Sequence, residues 1–146
     1  MEDVARAQAA AEGIPHREAE IVRRARVALQ SQTVQRAVAS GRWWREVPVA
    51  APVGETVLEG FIDLLFEEDG ELVVVDYKTD ILETEEEMAE RTRRYRLQGG
   101  AYALAIEAAT KRPVKEVIFL FLQPEGEVVL QELPAAIEEA EKAASL

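Results

Sequence analysis

Asp69-Gly70 stands between two alternating apolar runs, Thr56 to Phe66 and Glu71 to Lys78. Asp-Gly is a preferred central pair of a two-residue type I′ turn, and such a turn leaves a hairpin no freedom of register. With Glu68 facing Glu71, Leu65 faces Val74, Asp63 faces Asp76 and Phe61 faces Lys78. The other face of the ribbon carries Ile62, Leu64 and Phe66 against Val73, Val75 and Tyr77, an apolar set that reads as core. The first face sets two carboxylates directly opposite each other, with an ammonium two residues along. Directly opposed like charges destabilise a ladder by up to about 1 kcal/mol. Two arrangements offset that repulsion. A divalent cation can bridge the pair, since carboxylates on a rigid sheet suit Mg²⁺ or Mn²⁺; alternatively, both aspartates reach solvent at the sheet end and Lys78 neutralises them. A three-residue loop would shift the register by one and send the two acids to opposite faces.

Around this hairpin the pattern alternates helix and strand. Residues 17 to 39 lack Gly and Pro and place Ile21, Val22, Ala25, Ala28 and Leu29 at helical spacing, so one amphipathic helix is expected, closed by Gly41. Glu46 to Val53, with Pro48 and Pro52, reads as an edge or interrupted strand. A long helix is predicted from about Thr84, acidic in its first turn, to about Thr110, then strands at 115 to 122 and 127 to 132 and a short acidic helix from Pro134. The expected order is α-β-β-β-α-β-β-α in a single domain over residues 1–146. On the long helix Leu97, Ala101, Leu104 and Ala108 form the expected apolar face. Arg91, Tyr95, Gln98 and Tyr102 step by four, three and four along its border, as packing or as a cleft wall.

Composition narrows the function classes. The chain has no cysteine, which excludes disulfides and thiolate metal sites and is compatible with a reducing, cytoplasmic setting. Its longest wholly apolar run, Val117 to Leu122, is far short of the ~20 residues of a membrane span, so no membrane partner is expected. A net charge of −11 argues against wholesale wrapping of nucleic acid. The basic residues are clumped, however: Arg23, Arg24 and Arg26 in one segment, Arg91, Arg93, Arg94 and Arg96 in another. Either clump reads as a solvated helix face or as a local anion-binding patch.

The stretch "GFIDLLFEEDGELVVVDYKTD", followed by "YRLQGGAYALAIEAAT", resembles the nuclease domain of RecB/AddA-type (UvrD-like) helicase-nucleases, a branch of the PD-(D/E)XK nucleases. The match runs from about Arg45 to Leu122 and rests on G-x-I-D, D-Y-K and Q-x-x-x-Y at these separations. It implies a restriction-endonuclease-like α/β core, a mixed central sheet flanked by helices. It further implies Mg²⁺- or Mn²⁺-dependent exonucleolytic hydrolysis of DNA, on single-stranded ends delivered by helicase domains of the same parent protein, in DNA end processing and recombinational repair. By the same resemblance Asp63 and Asp76 are metal ligands, joined by the carbonyl of Tyr77. Lys78 positions the attacking water, and Glu46 in "WREVPV" is the family's earlier acid. Gln98, Tyr102, Tyr95, Arg91 and Arg94 are expected at the cleft or on DNA.

The family also has a histidine ligand, in a G-x-x-x-H setting near the start of the domain. The single histidine here, His16 in "GIPHREAE", does not match it. The expectation is therefore that the chain begins inside the family domain, without its first helix and the helicase region before it, and that as an isolated fragment it cuts DNA poorly. Two other readings stay open: a nuclease-like module that binds or routes DNA without cutting, and an acidic protein-interaction domain.

Overall fold

The computed structural model describes residues 18–53, 55–79, 84–122 and 125–144. His16 lies outside them. In place of the single helix expected over 17 to 39 there are two, α1 (Glu18–Gln30) and α2 (Gln32–Ser40). Ser31 makes the break. Its backbone is extended (φ −66°, ψ 149°) and its hydroxyl accepts the Val34 N–H at 3.2 Å, so it caps α2 instead of continuing α1. Gly41 closes α2 as expected, in the left-handed conformation.

The hairpin forms with the turn that its sequence demands. Asp69 and Gly70 have φ of 55° and 81°, as type I′ requires at both central positions. They join β2 (Thr56–Glu68) to β3 (Glu71–Lys78), with Glu68 facing Glu71 and Leu65 facing Val74. Pairing stops at Leu64–Val75, so the expected partners Asp63–Asp76 and Phe61–Lys78 are not ladder pairs. Beyond that point the Asp63 carboxylate takes the Tyr77 N–H at 2.8 Å, standing in for a backbone carbonyl.

Three further strands complete a mixed sheet in the order β1 (Trp43–Val53), β2, β3, β4 (Val114–Leu122), β5 (Glu125–Val129). The prolines of β1 are on an edge, where a missing N–H costs no ladder bond. Among the described residues only β3 and β4 run parallel, which requires a crossover, supplied by α3 (Glu85–Thr110). Thr84 and Glu87 cap its start reciprocally. A last helix, α4 (Leu133–Ala144), packs beside α3. Among the described residues no helix is long and apolar enough to cross a membrane.

Both faces of the sheet are core. On one, Val34 and Ala37 of α2 cover Leu64, Phe66, Val73, Val75, Ile118 and Leu120. On the other, Tyr95, Ala103 and Ile106 of α3 cover Ile62, Leu65, Val74, Val117 and Phe119. Ile62 therefore packs with Leu65, not with Leu64 and Phe66 as strict alternation predicts. The alternation of β2 slips at Asp63. Opposite it on β1, between the pairs Arg45–Leu64 and Val47–Ile62, Glu46 has a left-handed backbone, φ 51°, uncommon for a residue with a side chain.

The apolar stripe of α3 also differs from the one expected. Leu97 is exposed, as is Ala108, while Tyr95, Gly99, Gly100, Ala103, Ala105 and Ile106 are buried. The helix is enclosed on two sides. A Cβ at Gly99 would press on Val117, Phe119 and Leu130 from the sheet side, and one at Gly100 would come within 2.2 Å of the Ala136 carbonyl oxygen of α4. Close backbone approach to α4 brings small residues inside, so hydrophobicity alone misplaces the stripe.

Candidate active site

The open end of the hairpin gathers the charged residues that the turn register points to. Asp76 sits on β3 between the buried Val75 and the half-buried Tyr77, and is itself only 6% exposed. Lys78 Nζ lies 2.7 Å from Asp76 Oδ2. The approach is off the hydrogen-bonding direction, so that buried oxygen has no directed donor. Asp63 is close enough to hydrogen-bond the Asp76 side chain. Burial, then that carboxylate, raises its pKa to about 6 against the opposing pull of the Tyr77 N–H and Lys78. The two acids thus share one region of low dielectric, with the Lys78 ammonium against Asp76.

Lys78 is held from several sides. Its ammonium donates to Gln98 Oε1 at 2.6 Å and lies 4.3 Å from the centroid of the Tyr95 ring and 5.7 Å from that of Phe119. Such aromatic faces stabilise a cation that is largely withdrawn from water. Gln98 in turn donates from Nε2 to the Tyr102 hydroxyl at 3.2 Å. Of the residues expected at the cleft, Gln98 and Tyr102 therefore join the site through Lys78. Tyr95 is buried, packed on Phe119 and Phe121, and meets the site with its ring face against Lys78. Arg91 is half-buried on α3, whereas Arg94 is exposed and pairs with Glu90 at 3.0 Å. Glu46 is exposed and stands across from Asp63 in the β1–β2 register. Among the described residues no three His, Cys, Asp or Glu side chains converge as a ready metal cage.

The donor set fits a hard divalent cation all the same. Two adjacent carboxylates, one with a buried oxygen lacking a directed donor, supply negative charge and oxygen ligands but leave most of a six-fold shell open. A cation here would offset the burial of charge, and the proximity of Asp76, that together raise Asp63. Sequence reasoning missed the ring of Phe119 under Lys78 and the fit of Tyr102 onto Gly60 of β2, where an added Cβ would stand 3.0 Å from Tyr102 Cε1. The Gly of G-x-I-D was the visible trace of that contact, legible only once helix and strand are placed together.

Residues 1–146 match the family model of the PD-(D/E)XK nuclease superfamily. An ATP-dependent helicase/nuclease subunit from Clostridioides difficile is 44% identical over 66 residues, 44% of this chain and 5% of that protein. Its counterpart of the same name from Bacillus pumilus is 38% identical over 84 residues, 53% of this chain and 7% of that protein. The aligned stretches are thus a small fraction of these relatives. A crystal structure of an exonuclease candidate from Eubacterium rectale superposes with a TM-score of 0.59 at 14% identity, over 91% of this chain and 50% of that one. At that identity the likeness concerns the fold.

Proposed function

The chain belongs to the PD-(D/E)XK nuclease superfamily, and on that premise we propose that it hydrolyses DNA phosphodiester bonds at the Asp63–Asp76–Lys78 cluster. The observation that carries the reading is the pair of adjacent carboxylates, Asp76 buried and Asp63 half-buried, with the Lys78 ammonium 2.7 Å from Asp76. Asp63 and Asp76 would hold a divalent cation, Mg²⁺ or Mn²⁺. The Tyr77 carbonyl is a further candidate ligand, because a strand residue turns its C=O to the same neighbour as its N–H, here the opened gap at Asp63. When bound, that ion supplies Lewis-acid polarisation of the phosphate and lowers the pKa of coordinated water.

The chain's own groups do the rest. Lys78 directs N–H donors at the place where a water must approach the phosphorus in line, and its charge offsets the charge growing on the phosphorane oxygens. Tyr95 and Phe119 keep bulk water from its flank. Glu46, across from Asp63, is a candidate second acid at the cleft mouth. Arg91 and Arg94 lie on the same helix as Gln98 and form a candidate contact with the strand's phosphates.

The finer reading is an exonuclease that takes single-stranded ends from helicase domains, in cytoplasmic DNA end processing and recombinational repair. Support comes from the helicase/nuclease names of the relatives and from the charge of −11, which disfavours unaided capture of a polyanion. The test is Mn²⁺ titration by calorimetry together with cleavage of an end-labelled single-stranded oligonucleotide. Lys78→Ala is expected to bind Mn²⁺ and to lose cleavage. DNA bound but left wholly intact by an excess of the metal-loaded wild-type chain, where even slow single-turnover cutting is read, would replace this reading with a DNA-routing module.

A further inference from the structure

Gln98 meets Lys78 with one end of its amide and Tyr102 with the other. The oxygen accepts the ammonium at 2.6 Å, and Nε2 donates to the Tyr102 hydroxyl one helical turn on at 3.2 Å. A flipped amide would set two N–H donors against a cation. Tyr102 reaches this position because β2 offers it a bare backbone: a Cβ on Gly60 would stand 3.0 Å from Tyr102 Cε1 and 3.3 Å from its hydroxyl. We propose that Gly60 and Tyr102 form an orientation lock, which holds the Gln98 amide with its oxygen toward Lys78 and so aims the ammonium at the Asp63–Asp76 pair.

All three are positioning residues acting through Lys78. The inference rests on the proposed hydrolysis for its consequence, while the contacts themselves are independent of it. It also joins two short motifs that are distant in sequence. Gly60 is three residues before Asp63 and Tyr102 four after Gln98, and the glycine of the first motif makes room for the tyrosine of the second. A cleft tyrosine that touched DNA would need neither the amide nor the glycine.

A carboxylate accepts at both oxygens, so Gln98→Glu has no need of a lock. That difference separates the lock from plain packing. In the 146-residue chain labelled with ¹⁵N at lysine Nζ, a hydrogen-bonded ammonium exchanges slowly enough to give a ¹H–¹⁵N signal. The Lys78 signal is expected in the wild-type chain, lost in Tyr102→Phe and in Gly60→Ala, and present in the double variant Gln98→Glu/Tyr102→Phe. Backbone amide spectra of β3 and β4 report whether each variant is folded. In cleavage assays Tyr102→Phe should lower kcat about tenfold, within the range typical of supporting contacts, with KM for DNA unchanged, and adding Gln98→Glu should restore it.

A Lys78 signal that survives Tyr102→Phe, or one not regained on adding Gln98→Glu, overturns the lock. So does a rise in KM without loss of kcat, which would make Tyr102 a DNA contact. If the ammonium pattern holds while an excess of the metal-loaded wild-type chain leaves bound DNA wholly intact even in single-turnover assays, the lock stands and the nuclease reading falls.

Discussion

The two ends of the β2–β3 hairpin use the same residue types to opposite effect. At the turn, Glu67 meets Arg42 and Arg112, each at 3.1 Å; Glu68 meets Arg36 and Lys115, each at 2.7 Å; and Asp69 lies 3.5 Å from Lys115. Arg36 and then Lys115 hold the Glu68 carboxyl down at about 2. At the open end, two carboxylates share Lys78 and Asp63 is pushed up to about 6. The turn end is matched in charge and ties the hairpin to α2 and β4. The open end is deficient in positive charge, a state that costs stability unless a cation arrives. Acids proposed to receive a cation thus differ from acids that tie the fold together by the balance of counter-charge around them, within one hairpin.

The sharpest way to break that contrast is to remove one acid from each end. Asp76→Ala should abolish Mn²⁺ binding in calorimetry and, with it, metal-dependent cleavage. Glu68→Ala should leave the binding isotherm where it is. An isotherm unchanged in Asp76→Ala would place the metal elsewhere and empty the comparison of its functional half.

The hairpin was legible because Asp69-Gly70 fixes a turn type, a turn type fixes a register, and the register brings Asp63 toward Asp76. The prolines of β1 announced an edge strand in the same local way. What failed was non-local. Strict alternation put Ile62 with Leu64, but the strand slips at Asp63 opposite the left-handed Glu46, and no propensity marks that slip. Hydrophobicity put Leu97 inside α3, where Gly99 and Gly100 lie against the sheet and α4. The spacing of Tyr95 left packing or a cleft wall open, and only the fold shows its buried ring beneath Lys78. Each miss depends on a partner far away in sequence.

A second test acts on stability at the turn end. Arg36 joins Glu68 of β2 to Glu116 of β4 and lies over the Phe66 ring, its guanidinium carbon 5.6 Å from the centroid. Arg36→Ala removes this link and leaves both glutamates short of a partner. The pair is partly exposed, 32% for Arg36 and 25% for Glu68, so screening limits the loss to about 1–2 kcal/mol in urea unfolding. Mn²⁺ affinity should not change. A fall in metal affinity would show the two ends to be coupled through the strands rather than separate.

The smallest effect is a pair of opposite pH slopes in the metal-free chain. Asp63 has a folded pKa raised from 3.8 to about 6, so the folded state binds more protons than the unfolded one between these values. Its contribution makes stability fall as pH climbs from about 4 to 6, and the penalty persists above. Glu68 is lowered from 4.5 to about 2, so its contribution is present above 4.5 and lost as pH falls toward 2. Thermal unfolding of Asp63→Asn should accordingly show a flatter profile between pH 4 and 6 and a gain of about 1 kcal/mol at pH 7, the full shift being discounted for partial exposure. Glu68→Gln should flatten only the acid limb. Saturating Mn²⁺ at pH 7 should raise the unfolding temperature of the wild-type chain, and much less that of Asp63→Asn, because the same charge deficit is being filled in both cases. A metal-free wild-type chain whose stability rises from pH 4 to 6 by as much as that of Asp63→Asn would mean that the open end carries no such deficit.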